Sequence, residues 1–204
     1  SLEILRPLAE GGSATAQDAL SYTLAFLGMV TAALGDYAGG SRHLDEGLEI
    51  KRASNDLWGI AFCLRQLGLL AYYQGAYEDA HRLLRESLGV SRAIGNSWAV
   101  AYSLDFLGTV AFARDAYHEA ERFLREGLTL SQAVGDRFTM AYALNGLGLV
   151  KKALGDYAQG RQQLEDSITI WREIGAWPRL IKSSRKRRRK DLSWKSGSRR
   201  RQRH

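Results

Sequence analysis

The sequence has little of what several protein classes require. One cysteine, Cys63, rules out an intrachain disulfide framework and a zinc site built from several cysteines. Two prolines rule out collagen-like and proline-rich segments, and no apolar run reaches the roughly 18 residues of a transmembrane helix. The first residues form neither a secretion signal nor a transit segment, so the default expectation is a cytosolic protein without a membrane partner. Ser1 in place of an initiator Met predicts a fragment.

The positive charge is confined to one end of the chain. The 204 residues are 45% hydrophobic and 25% charged, which is typical of one soluble globular unit, and the formal net charge is +7. The segment 182–204 contains twelve Lys and Arg against the single acid Asp191, so the segment 1–181 contains 17 basic and 21 acidic side chains. The chain is therefore a mildly acidic body, near −4, followed by a basic tail near +11.

An internal repeat with a constant period organises the acidic body. A four-residue block with tyrosine in third place recurs at 35–38, 75–78, 115–118 and 155–158, and Leu-Gly recurs at 27–28, 67–68, 107–108 and 147–148. No insertion or deletion interrupts this spacing over four copies. Such a fixed period indicates a tandem repeat protein, in which neighbouring copies share one core.

Each copy has the pattern of a helical hairpin. Leu20, Leu24 and Leu27 follow the i, i+4, i+7 spacing of a first helix, and Ala80, Leu84 and Leu88 predict a second. Glycines 35, 75 and 155 lie between the halves, where a left-handed residue commonly ends a helix. Glycines 28, 68, 108 and 148 fall inside the first helix and predict close approach of the second. We expect an all-α fold, a right-handed α-α superhelical solenoid.

The register also predicts domain boundaries. Residues 1–16 fit the second helix of a truncated repeat with its connection, 17–176 form four repeats, and 177–204 begin an incomplete fifth repeat that runs into the disordered basic tail. Gly40, Gly160 and Lys151 replace alanines of the middle copies, which predicts looser packing in the outer hairpins. Leu164 and Ile168 should be partly exposed, so self-association through that uncapped end is a further expectation.

The repeat resembles a known family. Leu67-Gly68, Ala71, Gly75, Tyr77, Ala80 and Leu84 are similar to the tetratricopeptide repeat signature, with Leu64 where that family often has Trp. The 40-residue length exceeds the usual length of about 34 and resembles the arrays of bacterial signalling ATPases and LuxR-like multidomain regulators. The resemblance implies a protein-interaction scaffold whose first helices line a concave surface.

No catalytic constellation is evident in the sequence. His43, His81 and His118 occupy different phases of the repeat, so we expect them to face solvent rather than bind a metal. Cys63 lies among apolar residues without a nearby His, which predicts a buried and inert thiol. Arg and Glu at 42 and 46, 82 and 86, and 122 and 126 predict i, i+4 ion pairs on a solvated outer face. The sequence predicts neither an enzyme nor a cofactor.

The candidate binding site lies on the first helices, opposite the leucine stripe. Aromatic residues mixed with hydrogen-bonding groups there are typical of a peptide-binding groove. The candidate residues are Tyr22, Phe62, Arg65, Leu69, Tyr72, Tyr73, Tyr102, Asp105, Thr109, Phe112, Tyr142 and Asn145. The alternative for the column of Tyr22, Phe62, Tyr102 and Tyr142 is a structural seam, in which these rings pack on one another without a ligand.

The basic tail offers a second and different function. Its densest run is Arg185, Lys186, Arg187, Arg188, Arg189 and Lys190. Such a cluster binds nucleic acid through its phosphates, without sequence specificity. The alternative is a non-functional end, such as an out-of-frame reading that replaces the fifth repeat.

Overall fold

The computed structural model describes residues 2–175, which form nine α-helices joined by short turns. The helices are α1 (Leu2–Glu10), α2 (Ala14–Ala33), α3 (Tyr37–Ala53), α4 (Leu57–Tyr73), α5 (Tyr77–Ala93), α6 (Ser97–Ala113), α7 (Tyr117–Ala133), α8 (Arg137–Ala153) and α9 (Tyr157–Glu173). Five of these helices begin at an N-cap residue whose side chain accepts a hydrogen bond from a backbone N–H of the first turn. These residues are Asp36, Asp56, Asn96, Asp136 and Asp156.

Consecutive helices pack as hairpins that stack on one another. The pairs α2/α3, α4/α5, α6/α7 and α8/α9 are the hairpins, and each second helix also packs on the next first helix. First helices of neighbouring hairpins approach within 8 Å between Cα atoms, whereas no two second helices within residues 2–175 do. The stack therefore curves with its first helices on the inner side. The prediction of an all-α solenoid is confirmed.

The glycines inside the first helices have the predicted role. A Cβ atom added to Gly108 would lie 2.5 Å from Cγ of Leu124 on the second helix, too close for any heavy atom. The turn position between the halves also behaves as predicted, because Gly75 has φ +80°. Asp115 takes the same left-handed conformation, with φ 58°, although it carries a side chain.

The prediction of looser packing in the outer hairpins is wrong. A Cβ on Gly40 would lie 2.8 Å from the carbonyl oxygen of Gly28, so these two glycines bring the backbones of α2 and α3 together. Gly160 does the same against Gly148, at 2.9 Å. Lys151 is not loosely packed either, because its Nζ lies 2.8 Å from Oε1 of Glu121. Removing the methyl group of alanine allowed closer helix contact instead of leaving a gap.

The ion pairs of the outer face also differ from the prediction. Glu46, Glu86 and Glu126 bind arginines of the preceding second helix rather than those one turn earlier on their own helix. The bonds are Arg6–Glu46 at 2.5 Å, Arg52–Glu86 at 2.9 Å and Arg92–Glu126 at 2.5 Å. Stacking brings the end of one second helix beside the middle of the next, so the nearest opposite charge lies in the neighbouring repeat. These exposed pairs connect repeats, and each contributes about 1 kcal/mol or less.

Candidate functional site

A series of aromatic side chains recurs along the inner side of the stack. We call it the aromatic row, and its members are Tyr22, Trp58, Phe62, Trp98, Tyr102, Phe106, Phe138 and Tyr142. Ring centroids of Trp58 and Phe62 are 5.7 Å apart and stacked, and those of Trp98 and Tyr102 are 4.7 Å apart. Both pairs lie within one first helix, whereas Tyr22 and Trp58, with ring centroids 6.2 Å apart, join two neighbouring first helices. The structural-seam alternative for the column of Tyr22, Phe62, Tyr102 and Tyr142 stays a prediction.

The same rings remain partly open to solvent. Trp58, Trp98, Phe138 and Tyr142 keep 40–44% of their surface exposed, although such large apolar side chains are usually buried. Of these four residues, Tyr142 was predicted from the sequence and the other three were not. Their signal was available, because residues 58, 98 and 138 recur at the repeat period one helical turn before the column that was considered.

In the first gap, between α2 and α4, a lysine from the protein itself covers the aromatic surface. Lys51 Nζ lies 3.9 Å from the ring centroid of Tyr22, 2.5 Å from Oδ1 of Asp18 and 2.7 Å from Oδ2 of Asp56. Burial alone would lower the pKa of Lys51, but hydrogen bonds to the two carboxylates raise it. The residue is 1% exposed and charged. Sequence analysis did not single it out.

In the second gap, between α4 and α6, the cation is Arg65. Its guanidinium carbon lies 5.3 Å from the ring centroid of Phe62, 5.6 Å from that of Trp98 and 5.4 Å from that of Tyr102. The side chain is 5% exposed, and burial lowers its pKa without any described carboxylate opposing that shift. Arg65 was predicted to face an open groove. It instead fills the gap by cation–π contacts within the protein.

In the third gap, between α6 and α8, the equivalent position carries Asp105 and the space is empty. A cavity of about 240 Å³ lies there. Its lining residues are Leu69, Tyr73, Tyr102, Asp105, Phe106, Phe138, Thr139 and Tyr142. Asp105 is 6% exposed, and its Oδ1 atom has no hydrogen-bond partner among residues 2–175. Burial raises the pKa of this carboxyl to about 7.

The remaining predicted site residues occupy several environments. Leu69 and Tyr73 line both the third gap and a larger open cavity of about 580 Å³ against α2 and α3. Thr109 is half-buried with its hydroxyl bonded to the Asp105 carbonyl, whereas Asn145 is exposed.

Two further predicted residues close the ends of hairpins. Tyr72 packs on Tyr77 with ring centroids 5.9 Å apart, and Phe112 packs on Tyr117 at 5.5 Å. Each pair joins the end of a first helix to the start of the second helix in the same hairpin. These contacts differ from the predicted recognition role and stabilise the turn.

Titratable groups do not form a catalytic arrangement in the part of the chain that is described. His118 is exposed, but His43 and His81 are half-buried, unlike the prediction, because they face neighbouring helices. His81 Nε2 lies 3.6 Å from Oε1 of Glu119. Cys63 is buried as predicted, and burial raises its thiol pKa to about 11. No group of three His, Cys, Asp or Glu side chains within residues 2–175 has the arrangement of a metal site.

Comparison with protein families decides the classification. Tetratricopeptide repeat models match residues 18–93, 100–134 and 140–174. The chain belongs to the tetratricopeptide repeat family. The resemblance seen in the sequence is confirmed, and the repeats support a protein-interaction scaffold. No curated protein sequence gives a significant match. Among the helices described, none has both the length and the hydropathy of a membrane span.

Solved structures of low sequence identity share the fold. BtubC (BKLC) from P. vanneervenii aligns with a TM-score of 0.69 at 17% identity, over 78% of this chain and 66% of that one. The apo form of RapI gives 0.69 at 15% identity, over 77% and 44%. A signal transduction ATPase with numerous domains (STAND) that carries a tetratricopeptide repeat sensor, from Pyrococcus horikoshii, gives 0.70 at 17%, over 87% and 30%. The chain thus spans less than two thirds of each of these proteins.

Proposed function

We propose that this tetratricopeptide repeat protein is a non-catalytic scaffold that holds a peptide or protein segment along the inner side of the stack. The observation that carries the proposal is the aromatic row, whose large rings recur from repeat to repeat and are 40–44% exposed at four positions. Half-exposed aromatic side chains are the groups that protein interfaces use most strongly, since each buries a large area at a low entropy cost.

Differences between the gaps support selective recognition. The aromatic rings recur from repeat to repeat, whereas the polar residues among them change from Lys51 to Arg65 to Asp105. Because Lys51 and Arg65 are buried and bound within the protein, Asp105 is the polar group of the three that a partner can pair with, and it can fix the register of a bound segment.

The same proposal includes a place within a larger multidomain regulator. It is supported by the likeness to the Pyrococcus STAND protein, whose tetratricopeptide repeats are a sensor and of which this chain covers 30%. We expect the inner side to receive a segment of another domain or of another protein.

Two earlier expectations stay predictions. Self-association would use α9, where Leu164 and Ile168 are half-buried. Nucleic-acid binding would use Arg185 to Lys190, which lie outside the described residues.

Photo-crosslinking tests the inner side directly. We would place a benzophenone amino acid at Tyr73 on the inner side and, as the matched control, at His118 on the outer face, and identify the crosslinked proteins in a bacterial lysate. The proposal expects specific adducts from position 73 that disappear when Trp98 and Phe138 are both replaced by Ser. Adducts that form equally at 118, or that survive this double substitution, would contradict it. Adducts lost only when residues 182–204 are deleted would favour the nucleic-acid function.

A further inference from the structure

The three gaps between neighbouring first helices have similar aromatic walls, but different groups lie between those walls. In the first gap Lys51 covers Tyr22, and in the second gap Arg65 lies among three rings. Each of these cations belongs to the protein and is at most 5% exposed. Aromatic faces attract cations through the ring quadrupole, and the attraction strengthens when water is excluded. The first two gaps are therefore occupied cation sites.

The third gap has the walls of such a site, but none of its described lining residues is a Lys or Arg. Phe138 and Tyr142 form the wall on α8, with ring centroids 5.0 Å apart, and Tyr102 and Phe106 form the wall on α6, at 5.8 Å. Trp171 from α9 meets the α8 rings edge-on, at 5.1 Å from Phe138, and fixes that wall. Between the walls lies the cavity of about 240 Å³.

Asp105 determines which kind of ligand the cavity would bind. Its carboxyl is more than nine-tenths buried, and Oδ1 is without a hydrogen-bond donor among residues 2–175. A buried acceptor that lacks a donor is unfavourable, and a buried carboxylate also requires a positive charge nearby. A ligand that brings both an N–H donor and a positive charge satisfies Asp105.

The polar groups around the cavity do not supply that donor. Thr139 directs its hydroxyl to Oδ2 of Asp136, at 2.5 Å, and Asp136 in turn accepts the backbone N–H of Thr139. Arg65 makes its contacts in the second gap, against Tyr102 and the rings before it. On α4 the lining residues are Leu69 and Tyr73. Oδ1 of Asp105 is thus left for a donor from beyond residues 2–175.

We propose that this cavity accepts one arginine side chain of a partner segment, whose guanidinium binds Asp105 and packs against the rings of the third gap. The inference rests on the proposed function, since it requires the partner to lie along the inner side. Arginine fits better than lysine, because a planar guanidinium stacks on aromatic rings, donates two parallel hydrogen bonds to a carboxylate and is weakly hydrated. Arg65 provides the example in the neighbouring gap.

Size and charge agree with this occupant. About 240 Å³ is below the range of roughly 300–1,000 Å³ for small-molecule pockets, and suits a single long side chain. The repeat body contains 21 acidic and 17 basic side chains, so its field attracts cationic segments.

The test uses short peptides and the full chain. We would titrate acetyl-Gly-Ser-Arg-Ser-Gly-amide into ¹⁵N-labelled protein and follow the amide signals of Asp105 and residues 138–142. We expect saturable shifts, affinity at least tenfold lower for the same peptide with the neutral isostere citrulline, and affinity several-fold lower with lysine. Equal binding of the citrulline peptide would overturn the proposal, and equal binding of the lysine peptide would overturn the choice of arginine.

Variants separate this site from the rest of the surface. Asp105→Asn should weaken the arginine peptide at least tenfold, whereas Asp79→Asn, which removes an exposed acid of the outer face, should leave it unchanged. Dispersed amide signals in both variants show that each still folds. Unchanged binding by Asp105→Asn would overturn the inference alone, provided that crosslinks still map to the inner side. Binding to Asp105 together with crosslinks confined to the outer face would instead overturn the proposed function.

A pH series provides a second readout. The titratable groups that line the cavity are Asp105 and Tyr102 on α6, Tyr73 on α4 and Tyr142 on α8, and Asp136, the N-cap residue of α8, acts on Tyr102 from nearby. Of these, Asp105 titrates near pH 7, while burial raises the pKa of Tyr102 to about 12. A proton on Asp105 competes with the guanidinium, so the arginine peptide should bind about tenfold more tightly at pH 8 than at pH 6. Affinity that is constant over this range would contradict the assignment to Asp105.

Discussion

The second and third gaps are built from the same repeat and differ in one decisive side chain. Arg65 and Asp105 occupy equivalent positions of consecutive repeats, each on a first helix. Arg65 closes its gap with three aromatic contacts, whereas Asp105 leaves a cavity and an unsatisfied carboxyl oxygen. The repeat thus determines the position of the aromatic rings on both sides of each gap. In these two gaps, the residue at the position of Arg65 and Asp105 determines whether a side chain of the protein fills the space or a cavity remains.

The largest effect on stability is expected in the second gap. Arg65→Ala removes a buried side chain from between three rings and should lower the free energy of unfolding by about 3 to 4 kcal/mol, because the walls cannot fully collapse. Chemical denaturation followed by tryptophan fluorescence measures the change, since Trp98 contacts Arg65. Arg65→Met is the matched control and should lower the free energy of unfolding by only about 1 kcal/mol. Met fills a similar volume, and the loss of the cation–π contacts is partly offset because a charge is no longer buried. A loss below about 1 kcal/mol for Arg65→Ala would mean that the gap does not depend on its cation.

A smaller and pH-dependent effect is expected in the third gap. The pKa of Asp105 is about 7 in the folded protein against an ordinary value of 3.8, so the folded state retains a proton that the unfolded state has lost between these values. The free energy of unfolding therefore falls as pH rises from about 4 to 7 and then levels off. Asp105→Asn removes this pH-dependent loss of stability but buries an amide without a hydrogen-bond partner, which is itself unfavourable. We therefore expect the variant to be more stable than the original chain at pH 8 by about 2 kcal/mol.

Denaturation at about pH 4 and pH 8 checks that expectation. Relative to the original chain, Asp105→Asn should gain about 3 to 4 kcal/mol between pH 4 and pH 8, so its advantage at pH 8 should be lost or reversed at pH 4, where only the cost of the unpaired amide remains. A difference between the two proteins that is the same at both pH values, or that shifts in the opposite direction, would show that Asp105 is not held as a buried acid.

The smallest effect on stability is expected where the two cavities meet. Tyr73 is 53% exposed and lines both the third gap and the larger cavity beside α2. Tyr73→Ala should lower the free energy of unfolding by about 1 kcal/mol, because about half of the side chain is already exposed. Its effect should appear in binding instead, as weaker affinity for the arginine peptide measured by the same titration. A large loss of stability without loss of affinity would make Tyr73 a structural residue.

The sequence predicted the repeat and its hairpins because these depend on periodic residues. The roles of Gly108 and Gly75 could be predicted from their positions in the repeat, because Gly108 allows close helix contact and Gly75 adopts the left-handed backbone conformation of the turn. The ion pairs of Glu86 and Glu126 were predicted wrongly, since spacing along one helix gives no information about the charge that stacking brings from the next repeat.

The candidate site was predicted only in outline. The column of Tyr102 and Tyr142 was recognised, and both residues line the third gap. That Arg65 turns inward among rings while Asp105 faces a cavity depends on the packing of three helices, which periodicity does not encode. Trp98 and Phe138 were missed because the columns considered began one helical turn after them, although their spacing equals the repeat period and was visible.

The most direct test of the third gap is the pKa of Asp105 itself. Carbon-detected NMR of the side-chain carboxyl, assigned with Asp105→Asn, follows its ionisation between about pH 3 and pH 9 in the full chain. The structure predicts a midpoint near pH 7, as expected for a buried carboxyl without a donor. A midpoint near 4 would mean that the carboxylate is solvated or already paired, and would contradict an empty cation site between α6 and α8.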